Sequence, residues 1–131
     1  MAANRRQTLG RLGEELAATH LEQHGWQIVE RNFRTRAGEI DLIATRDGTL
    51  AFCEVKTLVA RRSAPASGPL EPLGSVGPAK RVQVRRMARA WLAHNDNDHG
   101  RRHGWVRLDA IGVLLAPDGT LLRLDHLESA F

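Results

Sequence analysis

The 131-residue sequence has very little cysteine and no long apolar run, and both shortages argue against whole classes of protein. The single cysteine, Cys53, cannot form an internal disulfide, so a disulfide-stabilised scaffold is not expected. No apolar run approaches the roughly 20 residues needed to span a bilayer. No apolar segment follows Met1–Arg6 as it does in a signal peptide. We therefore expect a single domain, residues 1–131, in the cytoplasm and without a membrane partner.

Lysine is also scarce, because only Lys56 and Lys80 among the 19 basic residues are not arginine. Arginine stays protonated in proteins, whereas the pKa of a lysine can be tuned by its surroundings. The net charge of +4 favours a polyanionic partner such as nucleic acid, although solubility explains such an excess nearly as well.

The sequence is organised around the segment 38–56, which reads GEIDLIATRDGTLAFCEVK. Two apolar, β-branched runs flank Asp47-Gly48, and this pattern predicts a β-hairpin. Asp41, Glu54 and Lys56 interrupt the apolar runs. Alternate residues of a strand share a face, so Glu54 and Lys56 are predicted to point the same way. We expect Asp41, on the paired strand, to share that face.

These three charged residues have two interpretations, because a charge in a buried strand costs several kcal/mol unless it is paired or binds a metal. In the first, they form a salt-bridged cluster or lie on a solvated face. In the second, the carboxylates of Asp41 and Glu54 bind Mg²⁺ or Mn²⁺, which prefer oxygen ligands. Lys56 would then position or deprotonate a water molecule beside the metal, as phosphodiester hydrolysis requires.

The spacing Asp41, twelve residues, Glu54-Val55-Lys56 resembles the signature of the PD-(D/E)XK nuclease superfamily. Other words in the chain resemble more closely the YraN-type (UPF0102) family of small bacterial proteins, which is related to archaeal Holliday-junction resolvases. These words are Gly10-Arg11-Leu12-Gly13-Glu14, Arg31-Asn32-Phe33-Arg34, Gly38-Glu39-Ile40-Asp41-Leu42-Ile43 and Phe52-Cys53-Glu54-Val55-Lys56. Ile40 replaces the proline that often precedes the aspartate. The resemblance implies a restriction-endonuclease-like fold, with Asp41, Glu54 and Lys56 in catalysis.

The first helix is predicted at about Leu9–His24, with Thr8 as its N-cap and Gly25 as its stop. Glu14 and Glu15 near its start have a structural explanation, because the helix macrodipole favours carboxylates there. The resemblance implies instead that Glu14 is a further metal ligand and catalytic residue. Glu39, two residues before Asp41, is either an accessory ligand or a residue of the strand entrance.

Two basic segments are candidates for nucleic-acid binding. Arg34 and Arg36 surround a turn after Phe33 and either contact phosphates or form an ordinary basic turn. The second helix, predicted from Pro78 to about His94, has five basic residues near its start and no acidic residue. Its candidate phosphate ligands are Lys80, Arg81 and Arg85, although runs of charge are usually solvated helix faces.

The predicted fold class is α/β, with a restriction-endonuclease-like, resolvase-like mixed sheet. The element order is helix, three strands, helix, two strands, with the helices packed on the sheet. The second helix is predicted to connect parallel strands, the later one being Trp105–Leu115. We expect Asp109 to pair with Arg107 or a neighbouring strand as a structural residue. The Pro/Gly/Ser-rich segment at about 58–78 is predicted to be a mobile loop.

Three classes of function remain open. The first is a metal-dependent endonuclease acting on structured or branched nucleic acid, with DNA the expected form. The second is a nucleic-acid-binding module without catalysis, and the third is a protein-interaction domain. If the resemblance to junction resolvases extends to function, it implies a homodimer.

Overall fold

The computed structural model describes residues 2–60, 78–95 and 104–131 of the chain. Five strands form one mixed sheet in the order β1-β2-β3-β4-β5. β3 and β4 are parallel, and every other neighbouring pair is antiparallel. The elements are α1 Ala2–Gln23, β1 Gln27–Thr35, β2 Gly38–Arg46, β3 Thr49–Val59, α2 Pro78–His94, β4 Trp105–Leu115 and β5 Leu121–Leu127. The predicted α/β class, the element order and the parallel pair are confirmed, and the arrangement is that of a restriction-endonuclease-like fold.

One helix covers each face of the sheet, because strand residues on both faces are apolar. On one face, Ala17, Ala18 and Leu21 of α1 pack on buried strand residues that include Leu42 and Cys53. On the other face, α2 packs on a second apolar cluster. Its buried members are Ile40, Ile43, Leu50, Phe52, Met87, Ala88 and Trp91. Removal of this apolar surface from water is the main force that holds the three layers together.

The central hairpin turns at Asp47-Gly48, as predicted. Both residues have positive φ, 47° and 78°, and Arg46 is paired with Thr49 across the turn. A two-residue hairpin loop of this type needs positive φ at both positions, which aspartate tolerates and glycine favours. The turn fixes the register of β2 against β3.

The start of α1 corrects the sequence analysis, because the helix begins at Ala2 and not at Leu9. Residues 2–7 include alanine, arginine and glutamine, which are good helix formers. The Arg5 guanidinium donates a hydrogen bond to the carbonyl of Pro117, which attaches this early part of the helix to the β4–β5 turn.

One strand also differs from its predicted limits. β3 continues to Val59, and the amide of Ala60 still donates to the carbonyl of Leu115, so the predicted loop begins later than residue 58. Residues 61–77 of that loop lie outside the described residues. β4 is buried from Asp109 to Leu115, whereas Trp105 at its start is 75% exposed. In the described parts of the chain, neither helix is long and apolar enough to cross a membrane.

Candidate metal and nucleic-acid site

The candidate site lies where β2 and β3 separate. Their pairing runs from Arg46–Thr49 to Leu42–Cys53. At the next position, Oδ2 of Asp41 accepts a hydrogen bond of 2.7 Å from the amide of Val55. Beyond this point β2 remains paired with β1, and β3 remains paired with β4. The Asp41 side chain therefore replaces a backbone partner at the fork between the two strands.

This fork corrects the expectation that Asp41 and Glu54 share one face. Residues two apart on a regular strand share a face, yet Ile40 packs with the α2 cluster and Leu42 packs with the α1 cluster. The regular alternation of side chains along β2 is therefore interrupted at Asp41. Glu54 pairs with Lys80 of α2 and therefore lies on the α2 side of the sheet. The carboxylates approach each other at the fork and not across a flat strand pair.

Three carboxylates come together on the α1 side of the fork. One oxygen from each of Glu14, Glu39 and Asp41 lies within 4.8 Å of the other two. We call these residues the carboxylate group. All three side chains are half-buried. Glu39, which the sequence offered only as an accessory ligand, occupies a place in this group, while Glu54 does not.

Glu14 reaches the group from the fourth turn of α1, because the helix starts at Ala2. The macrodipole acts within the first turn, so it does not explain a carboxylate at this position. The neighbouring Glu15 is instead paired with Arg31 of β1. The structure thus separates two adjacent glutamates that the sequence alone left equivalent.

Gly13 allows α1 to approach the sheet closely enough for Glu14 to reach Asp41. A Cβ atom at position 13 would lie 1.9 Å from Oγ1 and 3.0 Å from Cβ of Thr57 on β3. Any larger residue would therefore collide with a short, β-branched side chain. In the sequence, Gly13 is notable only as part of the family word Gly10–Glu14, because its steric role depends on packing.

Asn32 is a second residue whose role the sequence did not reveal. Its backbone has φ of 52°, a left-handed conformation that asparagine adopts more readily than most residues. With its amide oriented to satisfy both neighbours, Nδ2 donates to Glu39 Oε1 at 2.7 Å and to Glu14 Oε2 at 3.3 Å. An asparagine within a predicted strand was the available signal, because asparagine is depleted in strands.

The carboxylate group contains more negative charge than its protein partners compensate. The pKa of Asp41 is raised to about 7, chiefly by burial and then by the charges of Glu14, Glu54 and Glu39, although the hydrogen bond from the Val55 amide lowers it. The pKa of Glu14 is also raised, first by burial and then by Glu39. Carboxyl groups crowded in this way ionise reluctantly unless a cation joins them.

Glu54 is held on the other side of the fork by Lys80. Its Oε1 lies 2.7 Å from the Lys80 ammonium, with both side chains partly exposed. Its Oε2 atom is buried and has no hydrogen-bond partner among the described residues. A buried carboxylate oxygen without a donor is unusual, since most such atoms are hydrogen-bonded. Only one of the two carboxylate oxygens of Glu54 thus has a partner among the described residues.

Lys56 is exposed, and no carboxylate of the described residues forms an ion pair with it. It lines a surface cleft between α1 and the end of β3, together with Leu9, Gly10, Thr57, Leu58 and Val59. The predicted salt-bridged cluster of Asp41, Glu54 and Lys56 is thus not formed through Lys56. The lysine that pairs with Glu54 is Lys80, which the sequence analysis assigned to phosphate.

The predicted arginines lie around the β1–β2 turn and on α2. Arg34 lies 3.4 Å from Glu39, measured from Nε to Oε2, and Arg36 is exposed in the β1–β2 turn. Arg81 and Arg85 are exposed on α2, whose buried side carries Val84, Met87, Ala88 and Trp91. Gln83 of α2 donates a hydrogen bond of 2.6 Å to the carbonyl of Ala37. This bond joins the basic helix to the basic turn.

The residues present fit a Mg²⁺ or Mn²⁺ ion. All the candidate ligand atoms are carboxylate oxygens, which these hard cations prefer. The uncompensated charge of the carboxylate group and the orphaned Oε2 of Glu54 are both features that a divalent cation would neutralise. Asp41, Glu14 and Glu39 would hold the ion, and Glu54 of β3 would join them only by turning away from Lys80.

A family model described as an uncharacterised protein family, UPF0102, matches residues 13–113. A UPF0102 protein of Streptomyces griseus is 47% identical over 116 residues, which cover 88% of this chain and 90% of that protein. The UPF0102 protein of Nocardia farcinica is 43% identical over 126 residues, covering 96% and 91%. A UPF0102 protein of Trichlorobacter lovleyi is 42% identical over 127 residues, covering 95% and 91%. The chain belongs to the UPF0102 family.

The predicted family is therefore confirmed. The match to the UPF0102 model contains every candidate residue, from Glu14 to Arg85, whereas β5 lies beyond it. It also contains Arg107 and Asp109, which pair as predicted: Arg107 Nε donates to Asp109 Oδ1 at 2.9 Å. Asp109 is fully buried and also accepts hydrogen bonds from His126 and from the amide of Ser129.

Proposed function

We propose that this UPF0102 protein is a metal-dependent endonuclease that hydrolyses phosphodiester bonds of structured or branched nucleic acid, most readily DNA. The observation that carries the proposal is the carboxylate group at the fork, which combines raised pKa values with uncompensated charge. Exposed arginines of the basic turn and of α2 lie on elements joined beside it. We also propose a cytoplasmic location, as expected from the sequence.

The residues of the chain have separate roles in this proposal. A bound divalent cation supplies Lewis acidity and lowers the pKa of a water molecule. Glu14, Glu39 and Asp41 would hold the ion, and Asn32 fixes two of these carboxylates by donating to them. Lys56, which is exposed and has no carboxylate partner among the described residues, is free to orient the attacking water and to stabilise charge on the phosphate.

Lys80 has a dual role. In the protein alone it neutralises Glu54 at 2.7 Å. If Glu54 turned toward a bound cation, the Lys80 ammonium would be free to contact a phosphate of the substrate. The sequence-based assignment of Lys80 to phosphate contact is retained in this form.

A non-catalytic nucleic-acid-binding module is the second candidate, and the ion pair between Glu54 and Lys80 favours it. This pair satisfies one predicted metal ligand without a metal. In that case the basic turn and α2 would bind phosphates, while the carboxylate group would have no chemical role. The two functions differ in whether substrate is converted.

The deciding experiment is cleavage of end-labelled four-way junction, flap, single-stranded and duplex substrates with Mn²⁺, Mg²⁺ or EDTA. We expect metal-dependent cleavage that falls by at least about a hundredfold in Asp41→Asn and in Glu14→Gln. Glu15→Gln is the matched control, because Glu15 is adjacent on the same helix but pairs with Arg31 outside the carboxylate group. It should retain wild-type activity.

Binding measurements on the same proteins separate the two candidates. A binding module would retain nucleic acid with a steep salt dependence, because phosphate contacts release counterions, yet it would convert no substrate. That result would overturn the nuclease proposal. Equal cleavage by Asp41→Asn and the wild type would contradict the assigned site. An absence of both binding and cleavage would point to a protein-interaction domain.

A further inference from the structure

The edge strand β5 has an internal symmetry that the proposed function does not use. β5 pairs with β4 on one side and forms the edge of the described sheet on the other. Its sequence, Leu-Leu-Arg-Leu-Asp-His-Leu, is self-complementary about Leu124. When the strand is reversed on itself, Arg123 falls opposite Asp125, and Leu121 falls opposite Leu127.

We propose that two copies of this chain pair through β5, antiparallel and across a two-fold axis at Leu124. Arg123 of each copy would face Asp125 of the second copy, so two cross-strand ion pairs form at once. Opposite charges placed directly across an antiparallel pair stabilise it, and like charges destabilise it. The interface is isologous, as closed dimers require, and it joins the two sheets edge to edge.

The exposed apolar side chains of β5 support this partner. Leu121 is 41% exposed, Leu122 is 48% exposed and Leu127 is 41% exposed. The bulge places Leu121 on the face opposite to Arg123 and Leu127, so a second copy would shield these side chains only in part. An edge strand also has backbone groups that lack a ladder partner and can pair with another strand. One antiparallel copy would satisfy the backbone groups of the regular stretch.

The charges of β5 also argue for a second copy over an unrelated strand. Edge strands usually avoid pairing through charged side chains, above all lysine, and through proline or a bulge. β5 contains neither lysine nor proline, and its charged residues disfavour an uncharged strand but match a reversed copy of β5. Arg123 and Asp125 have opposite charges and lie on the same face, two residues apart. They pair within the chain at 2.7 Å, from the arginine nitrogen to Oδ2. In the dimer each could be shared between the two copies.

A bulge in β5 limits the length of the pairing but leaves its centre regular. The register against β4 shifts between Leu114 and Leu115, which leaves Leu122 outside the paired positions. Residues 123–127 pair with β4 without interruption. The two ion pairs and the two-fold axis fall within this regular stretch.

The test uses charge reversal and sedimentation equilibrium of the full chain. Arg123→Asp alone and Asp125→Arg alone each place like charges opposite one another, so each should raise the dimer dissociation constant at least about tenfold. The double variant Arg123→Asp/Asp125→Arg restores opposite charges and should dimerise like the wild type. Glu22→Arg, an exposed position on α1, changes the net charge as Asp125→Arg does and should not alter the dissociation constant.

Mixing the two single variants distinguishes an interface from an effect within one chain. A copy with two basic residues is complementary to a copy with two acidic residues, so the equimolar mixture should form a heterodimer. An effect confined to each chain would not be repaired by mixing. Wild-type protein that stays monomeric throughout the concentration series would overturn the proposal, and so would a mixture that stays monomeric while both variants remain folded.

A cross-linking measurement keeps the proposal testable if the charge variants do not fold. Position 124 of one copy lies opposite position 124 of the other, within the Cα separation that a disulfide spans. Under oxidation Leu124→Cys should form covalent dimers faster than Val82→Cys, which is half-exposed on α2. The native Cys53 is buried and should not contribute. Equal rates for the two variants would overturn the proposed axis.

Discussion

Asp41 and Asp109 are two aspartates in strands of the same sheet, and their surroundings shift the pKa of the two carboxyl groups in opposite directions. Both are shielded from water, and burial alone would raise the pKa of each. Yet the pKa of Asp41 rises to about 7, whereas the pKa of Asp109 is lowered below its ordinary value. The more completely buried of the two, Asp109, is the one that ionises more readily.

The partners explain this difference. Asp109 accepts hydrogen bonds from His126, Arg107 and the amide of Ser129, and these donors outweigh its desolvation. Arg107 is itself fixed by the face of Trp26, which lies 5.1 Å from the guanidinium carbon. Asp41 has one backbone donor and is surrounded by carboxylates. A satisfied buried carboxylate is part of the scaffold, whereas an uncompensated one indicates a site for a proton or a cation.

Among these predictions, the largest loss of stability is expected for substitution of Asp109. Asp109→Asn should lower the free energy of unfolding by about 3 kcal/mol near neutral pH, because Arg107 and His126 lose a buried anionic partner. Since the folded-state pKa is lowered, the stability that Asp109 contributes is present above its ordinary pKa and lost as the pH falls below it. Urea unfolding at neutral and acidic pH measures this loss. A variant as stable as the wild type at neutral pH would contradict the structural role.

Asp41→Asn should change the free energy of unfolding in the opposite direction and stabilise the protein. The folded-state pKa of Asp41 is about 7, above its ordinary value of 3.8, so the folded protein retains a proton that the unfolded chain releases. Stability is therefore lost as the pH rises between these values, and asparagine removes that loss. In EDTA, we expect the variant to exceed the wild type in free energy of unfolding by on the order of 4 kcal/mol above pH 7 and to match it in acid.

The measurement is urea unfolding of both proteins in EDTA across this pH range. Added Mn²⁺ should stabilise the wild type and leave the variant unchanged, because a ligand that binds only the folded state stabilises it by mass action. A variant less stable than the wild type at every pH would show that the Asp41 carboxylate is compensated in the folded protein, as Asp109 is.

The smallest effect on stability is expected at Lys80. Lys80 is the ion-pair partner of Glu54, as Arg107 is of Asp109, but the Lys80–Glu54 pair is partly exposed. Lys80→Gln should lower the free energy of unfolding by about 0.5 kcal/mol, since exposed ion pairs contribute little. The loss should shrink in high salt, where such pairs are screened. Thermal unfolding at low and high salt tests this. A loss as large as that of Asp109→Asn would mean that Glu54 is structural.

The sequence predicted the order of elements well, because local signals decide it. Asp47-Gly48 fixed the hairpin, and the apolar runs located the strands. The pairing of Arg107 with Asp109 was also predictable, since residues two apart on a strand share a face. The separation of β2 from β3 was not predictable, because it depends on Ile40 packing with the α2 cluster while Leu42 packs with the α1 cluster. For the same reason the face expected to be shared by Asp41 and Glu54 is not shared, whereas Glu39, expected as an accessory ligand, joins Asp41 in the carboxylate group.

Contacts between distant segments account for the remaining differences. Thr8 is a residue type that is common at helix N-caps, yet α1 extends back to Ala2. Near this start of the helix, Arg5 contacts the β4–β5 turn. The adjacent residues Glu14 and Glu15 differ only in what the folded chain places opposite them. Asn32 gains its role from a backbone conformation that no periodic pattern describes.

The close approach of α1 to β3 at Gly13 has a further consequence for how the site tolerates sequence change. A methyl group added at position 13 would collide with the side chain of Thr57 and push α1 away from β3. None of the three carboxylates would be changed by this substitution. Glu14 would withdraw from Asp41 and Glu39, although its own chemistry would be intact. The distance between α1 and the sheet is thus itself a determinant of the site. It is set by Gly13, a residue without a side chain.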